Sequence, residues 1–539
     1  MVSRCASMVF LLSLTAVAQT FQGNLAGLVI DATDSTIPEA TVELESGANG
    51  WKRSTTSTTS GIFLFADLPV GLYTVTVNAK GFQAQKVDNV EIAVSRTTNL
   101  NVRLKVSQIN SSVEVAASQV TLDTTTSALV AVVDSKIVTD IPINGRDYRQ
   151  MFLLAPGIAG VNSPNNPSLN GTRTEEINYQ IDGVDDNDGK NIAFNQGLGS
   201  VYLPIEAIDQ LSVQSNAESD MGRNAAGNIN VVIKSGTNVV HGSLYEFDRN
   251  EALAAYSPLQ APGTPKQEIR NNQFGFSIGG PIVRNKSFFY MNGEEQLALT
   301  ANSVVDTSPS AAWVAAATAV LQKYGVPLNP VSANLLNYWP AESRTGPATT
   351  NNWFSTAQNQ FKSWNGVVRV DHRLNDRHSI FARYAGGYGW QSVDAGSHFQ
   401  QFFQVVPGRV HNFAAVETDQ WSPRLLNQIT VGITRFLALF NDADTHYNPI
   451  ADGLNTGSSL LGSPSMTISG FDTVGKTAPL SRIDHTDQLT DALSYTTGRT
   501  NSNSAANTAA SCWMPRTLPT GAGPSISTDP VDHGLLIRR

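Results

Sequence analysis

Apolar and polar residues alternate with a period of two through much of this chain, and the alternation falls into distinct regions. In the first, Ala40, Val42 and Leu44 alternate with Thr41, Glu43 and Glu45, and Tyr73, Val75, Val77 and Ala79 with Thr74, Thr76 and Asn78. Leu100, Val102, Leu104 and Val106 alternate in the same way with Asn99, Asn101, Arg103 and Lys105. Side chains of a strand point to opposite faces in turn, so these segments predict strands with one buried face. Pro69, Gly71 and Gly81 punctuate the turns. The region from about Gln22 to Val106 is long enough for one β-sandwich core. From Val120 to Val240 the pattern mixes short strands with one or two helices. Hairpins follow. Val368, Val370, His372 and Leu374 face one way and Arg369, Asp371 and Arg373 the other, Asn375-Asp376 makes a short turn, and Ile380, Ala382 and Tyr384 return. Ile429, Val431 and Ile433 alternate with Thr430, Gly432 and Thr434. A face of Val, Ile and aromatics against a charged face suits a transmembrane β-barrel. Ser308 to Tyr324 reads as an Ala-rich amphipathic helix capped by Gly325, placed in a long extracellular loop.

The first residues read as an address. Arg4 precedes an apolar run from Met8 to Val17, and Ala16-Val17-Ala18 is a small-x-small cleavage site. Export leaves a periplasmic, secreted or outer-membrane protein, since no later stretch reaches the roughly 18 apolar residues of a spanning helix. The length of 539 residues suggests roughly three or four folding units. Charged residues are 15%, with abundant Ser, Thr, Asn and Gly, which rules out a coiled coil or a charge-rich disordered tail. A net charge of −9 argues against a nucleic-acid partner. The two cysteines, Cys5 and Cys512, make neither a disulfide framework nor a Cys-type zinc site.

Enzyme chemistry finds no foothold. A zinc peptidase needs His and Glu at helical spacing, and none of the eight histidines has Glu three positions on. His372 and His378 are nearest each other, but Val367 to Leu374 reads as a strand. There is no G-x-S-x-G elbow, phosphate loop or G-x-G-x-x-G. The stretch Asp182 to Gly189 has the look of a calcium loop, but aligning Gly189 with the sixth EF-hand position puts Val184 first and Asn195 twelfth, both wrong. A polar surface loop is the better reading. No catalytic residue, metal ligand or cofactor site is assigned.

Two resemblances add to this. Gly61-Ile62-Phe63-Leu64-Phe65, Leu68, Gly71, Tyr73, Val75, Val77 and Gly81-Phe82 resemble the carboxypeptidase regulatory-like domain. That implies a transthyretin-like, carbohydrate-binding-like sandwich without catalysis, in which Trp51 and Tyr73 serve packing rather than sugar binding. Further on come Ile141-Pro142-Ile143-Asn144-Gly145-Arg146-Asp147-Tyr148, Asn170-Gly171, Ile177 to Val184, Gly222-Arg223 and Ile229 to Asn238. In that order they resemble the plug of TonB-dependent outer-membrane receptors, of the Oar-like branch that carries a regulatory-like domain in front. Phe274 to Ile282, a turn at Arg284-Asn285-Lys286 and Ser287-Phe288-Phe289-Tyr290 resemble the first barrel hairpins of the same family. The resemblance implies a TonB-type energy-coupling protein, the barrel assembly machinery, outer-membrane lipid and a bulky substrate as partners. Val113, Glu114 and Val115 stand where the family has its TonB box, and an extended segment there can add to a partner's sheet edge. Arg146, Asp182 and Arg223 are the plug residues expected to bond inside the lumen.

The expected class is mainly β: a transthyretin-like sandwich, an α+β plug and a partial antiparallel transmembrane β-barrel. The expected boundaries are a signal peptide at 1–18, sandwich 19–106, a linker with the box 107–120, plug 121–238, barrel strands 239–499 and an aberrant tail 500–539. Residues 241 to 499 allow roughly ten strands of 9–11 residues, where plugged transporters need about 22. After Arg499 the alternation stops, and a one-base shift of the reading frame restores a strand-like sequence. The expectation is therefore an incomplete receptor, unable to transport alone, whose frame was lost near Arg499. A secreted protein that binds glycans or matrix, and a surface adhesin, are the alternatives.

Overall fold

The computed structural model describes residues 22–106, 113–116, 129–160, 167–173, 176–187, 202–215, 226–256, 266–341, 351–394, 396–422, 425–442, 447–454, 461–475, 480–496 and 505–506. The expected signal peptide, Arg223 and most of the tail lie outside them.

The N-terminal sandwich packs two sheets. In one, β1 (Gly23–Ile30) pairs antiparallel with β4 (Ile62–Leu68) and parallel with β7 (Thr97–Asn99) and β8 (Val102–Arg103). The other runs β3 (Lys52–Thr56), β2 (Thr41–Ser46), β5 (Gly71–Asn78), β6 (Gln85–Ile92) and β9 (Val113–Ala116). The residues at period two meet between the sheets: Val42, Leu44, Val75, Val77 and Leu104 are fully buried, with Phe63 and Phe65 beside them. The alternation ends before Val106, which is 67% exposed.

The plug is built on a mixed sheet in the order β10 (Val130–Val133), β15 (Ile208–Gln214), β16 (Gly227–Ile233), β13 (Ile177–Ile181) and β14 (Val184–Asp185). Its helix, Ser135–Asp140, starts where the Asp134 carboxylate accepts the Ile137 N–H at 2.8 Å. A two-stranded ribbon, β11 (Ile158–Ala159) with β12 (Ser168–Leu169), flanks it.

The third part is a curved antiparallel wall whose strands pair in chain order: β17 (His241–Asn250), β18 (Glu268–Val283), β19 (Ser287–Asp306), β20 (Trp353–Arg373), β21 (His378–Val393), β22 (Gln404–Ser422), β23 (Leu425–Asp442), β24 (Leu480–Thr496) and the two-residue β25 (Ala505–Ala506). Among the described residues of 241–499 the strands are fewer than the roughly ten expected, and most are longer. β20 has 21 residues, and at about 3.3 Å per residue it measures roughly 70 Å, against a hydrocarbon layer of about 30 Å. Length beyond the bilayer supports the connections at one end. The expected turns hold: Arg284 to Lys286 joins β18 to β19, with Pro281 opposite Phe288, and Leu374 to Arg377 joins β20 to β21.

The wall is polar inside and apolar outside. Gln273, Asn292, Glu294, Asn365, Arg383 and Asn412 are buried toward the plug, while Phe274, Trp364, Val368, Val370, Ile380 and Leu489 are exposed. An apolar outer belt on strands needs lipid rather than water around it. Short turns lie at one end and long connections, Asp306 to Trp353 and Asp442 to Leu480, at the other. The helix Ala311–Lys323 sits in the first of these, with Gly325 at φ 69° after it, and none of its residues is buried. The sandwich docks at the short-turn end: Arg53 Nε donates to Gln420 Oε1 at 2.9 Å, and Ser494 Oγ to Asp67 Oδ2 at 3.1 Å.

Candidate functional site

The site grows from the turn that closes β13. Asp182 and Gly183 both have positive φ, 48° and 75°, a conformation glycine adopts freely and Asp tolerates. The turn projects the Asp182 carboxylate across the plug sheet. Its Oδ1 accepts the Ile233 N–H at 3.0 Å, and its own N–H donates to Val231 O at 2.8 Å. Two arginines from the wall meet it. Arg383 Nε lies 2.8 Å from Asp182 Oδ2 and Arg369 Nη1 3.6 Å from Oδ1. Arg369 and Arg383 stand directly opposite each other on β20 and β21. Like charges in that register repel, so Asp182 and Asp371, which Arg369 also grips at 2.9 Å, complete the charge balance.

Backbone contacts extend the joint. Arg369 Nη1 donates to Ile233 O at 2.8 Å, and Arg383 Nη2 to Ile181 O at 2.9 Å. Gln488 of β24 donates to Gly183 O at 3.1 Å and accepts the Asp185 N–H at 2.9 Å. Thr434 Oγ1 donates to Asp185 O at 2.6 Å. Val184 presses on Gly432 so closely that a Cβ there would sit 2.5 Å from Val184 Cγ1. Nearby, burial raises the Asp209 carboxyl above its ordinary value, against the pull of Lys234 and Arg369.

The expected polar surface loop is corrected here. Asp182, Asp185, Asp186 and Asn187 are buried, at 0%, 3%, 1% and 8% exposure. Asp182 and Asp185 also bond to the wall, while Asn187 Nδ2 donates within the plug to Asn178 Oδ1 at 2.7 Å and to Asp185 Oδ2 at 2.8 Å.

Arg146 also faces the wall. Positive φ at Gly145 and at Arg146 itself turns its guanidinium over the Phe247 ring at 3.7 Å, and Nη2 lies 3.5 Å from Glu206. Tyr290 of β19 donates to Glu206 O at 2.5 Å. Val113, Glu114 and Val115 form most of β9, parallel to β6 in the register Gln85 with Val113 and Val87 with Val115. In the sandwich, Tyr73 is buried, its hydroxyl donates to Pro69 O at 2.7 Å, and Trp51 meets its ring edge-on at 6.2 Å.

Sequence reasoning placed Arg369 on the charged face but singled out neither it nor Arg383, Gln488 or Thr434. The available signal was an arginine at the same register of two adjacent hairpin strands, which demands a buried anion.

Residues 232–502 match the family described as an outer membrane beta barrel domain. The chain belongs to that outer-membrane β-barrel family. Residues 24–105 match the carboxypeptidase regulatory-like domain. The TonB-dependent transporter Oar of Myxococcus xanthus is 27% identical over 290 residues, which cover 49% of this chain and 26% of that protein. Among solved structures, the outer membrane transporter YddB from Escherichia coli is 12% identical, with a TM-score of 0.46 over 69% of this chain and 46% of its own. The siderophore receptor PirA from Acinetobacter baumannii is 12% identical, with a TM-score of 0.40 over 70% and 50%. The chain covers about a quarter of the length of the Myxococcus xanthus transporter, and its sandwich and its barrel wall match the regulatory-like and outer-membrane β-barrel families in that order. That Myxococcus xanthus relative is a transporter.

Proposed function

We propose that this chain forms the plug and part of the wall of a receptor that takes a bulky substrate into a lumen gated by that plug, that it does not transport alone, and that it catalyses no reaction. In this reading a TonB-type energy-coupling protein grips Val113, Glu114 and Val115 as a strand, and the pull loosens the plug. Outer-membrane lipid surrounds the wall, which the barrel assembly machinery inserts. The observation that carries the reading is the joint at Asp182. The plug meets the wall through an ion-paired carboxylate and backbone carbonyls, groups that water can satisfy when the plug shifts. Arg146, stacked on Phe247, is a second contact of the same kind.

Disulfide trapping tests the coupling. Cysteines introduced at Val113 and Val115, in outer membranes holding the full chain with Cys512→Ser, are expected to cross-link to cysteines in the periplasmic domain of the coupling protein. Cross-linking is expected to fall when Glu114→Pro breaks the strand. Equal cross-linking from Gln83 or Lys105, outside the segment, defeats the assignment.

A further inference from the structure

The end of the wall opposite the short turns carries a cluster unrelated to the plug. Asp306 ends β19, His398 lies in the segment after β21, and Asp472 lies between β23 and β24. One ligand-type atom from each lies within 4.8 Å of the others. The cluster is built rather than incidental. Asp472 N donates to Thr307 O at 3.0 Å, and its carboxylate accepts the Thr307 N–H in return. Trp339 Nε1 donates to Asp472 O at 2.8 Å. Beneath it Tyr338, Trp339, Phe399, Phe402 and Val474 form a small apolar core of their own.

The Asp306 side chain is 4% exposed. Its Oδ1 is 3.0 Å from His398 Nδ1, but Oδ2 is buried in the cluster with no hydrogen-bond partner. A buried carboxylate oxygen without a donor is costly. The cost rises because Asp472 adds a second carboxylate, and Asp394 Oδ2 stands 3.5 Å from His398 Nε2. A cation bound between the carboxylates removes both penalties.

We propose that Asp306, His398 and Asp472 bind one divalent transition-metal ion, which ties the end of β19 to two connections at the mouth of the wall. The donor set selects the class of metal. Carboxylate oxygens with an imidazole nitrogen suit zinc and its neighbours, whereas calcium takes oxygen ligands. Asp394 serves as a positioning residue for the imidazole. This inference is independent of how the plug is moved.

Calorimetric titration of Zn²⁺ into the metal-stripped full chain in detergent tests it. The expected result is one saturable site, weakened by about tenfold or more in both Asp306→Asn and His398→Gln. His398 is half-exposed, so the second variant reports even if the first fails to fold. Co²⁺ in place of zinc is expected to give a d–d absorption that His398→Gln alters. The chain has eight histidines, so zinc binding left unchanged by His398→Gln places the metal elsewhere and overturns the proposal. Absence of saturable binding, or Ca²⁺ binding as tightly as Zn²⁺, overturns it as well.

Discussion

Two junctions that each use arginine and aspartate join neighbouring parts of this chain, and they are built differently. At the plug, Asp182 faces two wall arginines and also caps the Ile233 N–H, so one carboxylate answers several donors in a wholly buried joint. At the short-turn rim, Arg53 and Asp67 of the sandwich each reach one side chain of the wall, Gln420 and Ser494. Burial pushes Asp67 up to about 6, although Arg53 pulls it down, and burial pushes Arg53 down to about 10. The plug joint spreads its contacts over two arginines of the wall and backbone carbonyls of the plug. At the rim burial outweighs the pull of Arg53 on Asp67, and this makes the rim a place where pH acts.

The sharpest way to break the comparison is at the plug. Arg383→Ala leaves Asp182 with Arg369 alone and is expected to cost about 3–5 kcal/mol, as removal of one member of a buried ion pair does. Denaturant midpoints of the detergent-folded chain measure it. Asp182→Asn should cost a similar amount, and the two changes together less than their sum, since the first removes the partner of the second. Additive costs contradict a shared joint.

At the rim the prediction concerns pH. Between the ordinary carboxylate value near 3.8 and about 6, folded Asp67 keeps a proton that the unfolded chain has lost. Stability is therefore fullest below the lower value and falls as pH rises through the window. The loss is about 3 kcal/mol for a shift of this size. Thermal melts of the wild type from pH 4 to pH 7 should show that slope, and Asp67→Asn should flatten it. A slope that survives the substitution belongs to another group.

Smaller effects sharpen the sandwich side. Glu114→Pro is expected to release β9 from β6 for about 1–2 kcal/mol, one or two backbone hydrogen bonds, read as faster amide exchange along Gln85 to Asp88. Protection unchanged there contradicts the pairing. Tyr73→Phe removes the bond to Pro69 O and should cost about 1 kcal/mol. It should leave any retention on glycan columns unaltered; a loss of retention revives the sugar-binding reading.

The period-two pattern determined a great deal by itself. Val42 and Leu44, Val75 and Val77, and Val368 and Val370 declare which way each strand faces, because alternation is a property of the strand and not of its neighbours. The turns at Arg284 to Lys286 and at Asn375-Asp376 were legible for the same reason, as local chemistry. Tertiary structure decided the rest. Asp182 and Arg383 are separated by two hundred residues of chain, and no local pattern says that a carboxylate in a Gly-rich turn will be enclosed rather than solvated. The stretch from Asp182 to Asn187 therefore passes for a surface loop until the wall surrounds it. Asp306, His398 and Asp472 lie at the end of one strand and in two separate connections, and share no spacing that sequence could reveal. Val113 to Val115 reads as a strand looking for a partner, and only the sheet order shows β6 filling that place. In each case the deciding quantity is burial, which depends on what the folded chain brings alongside.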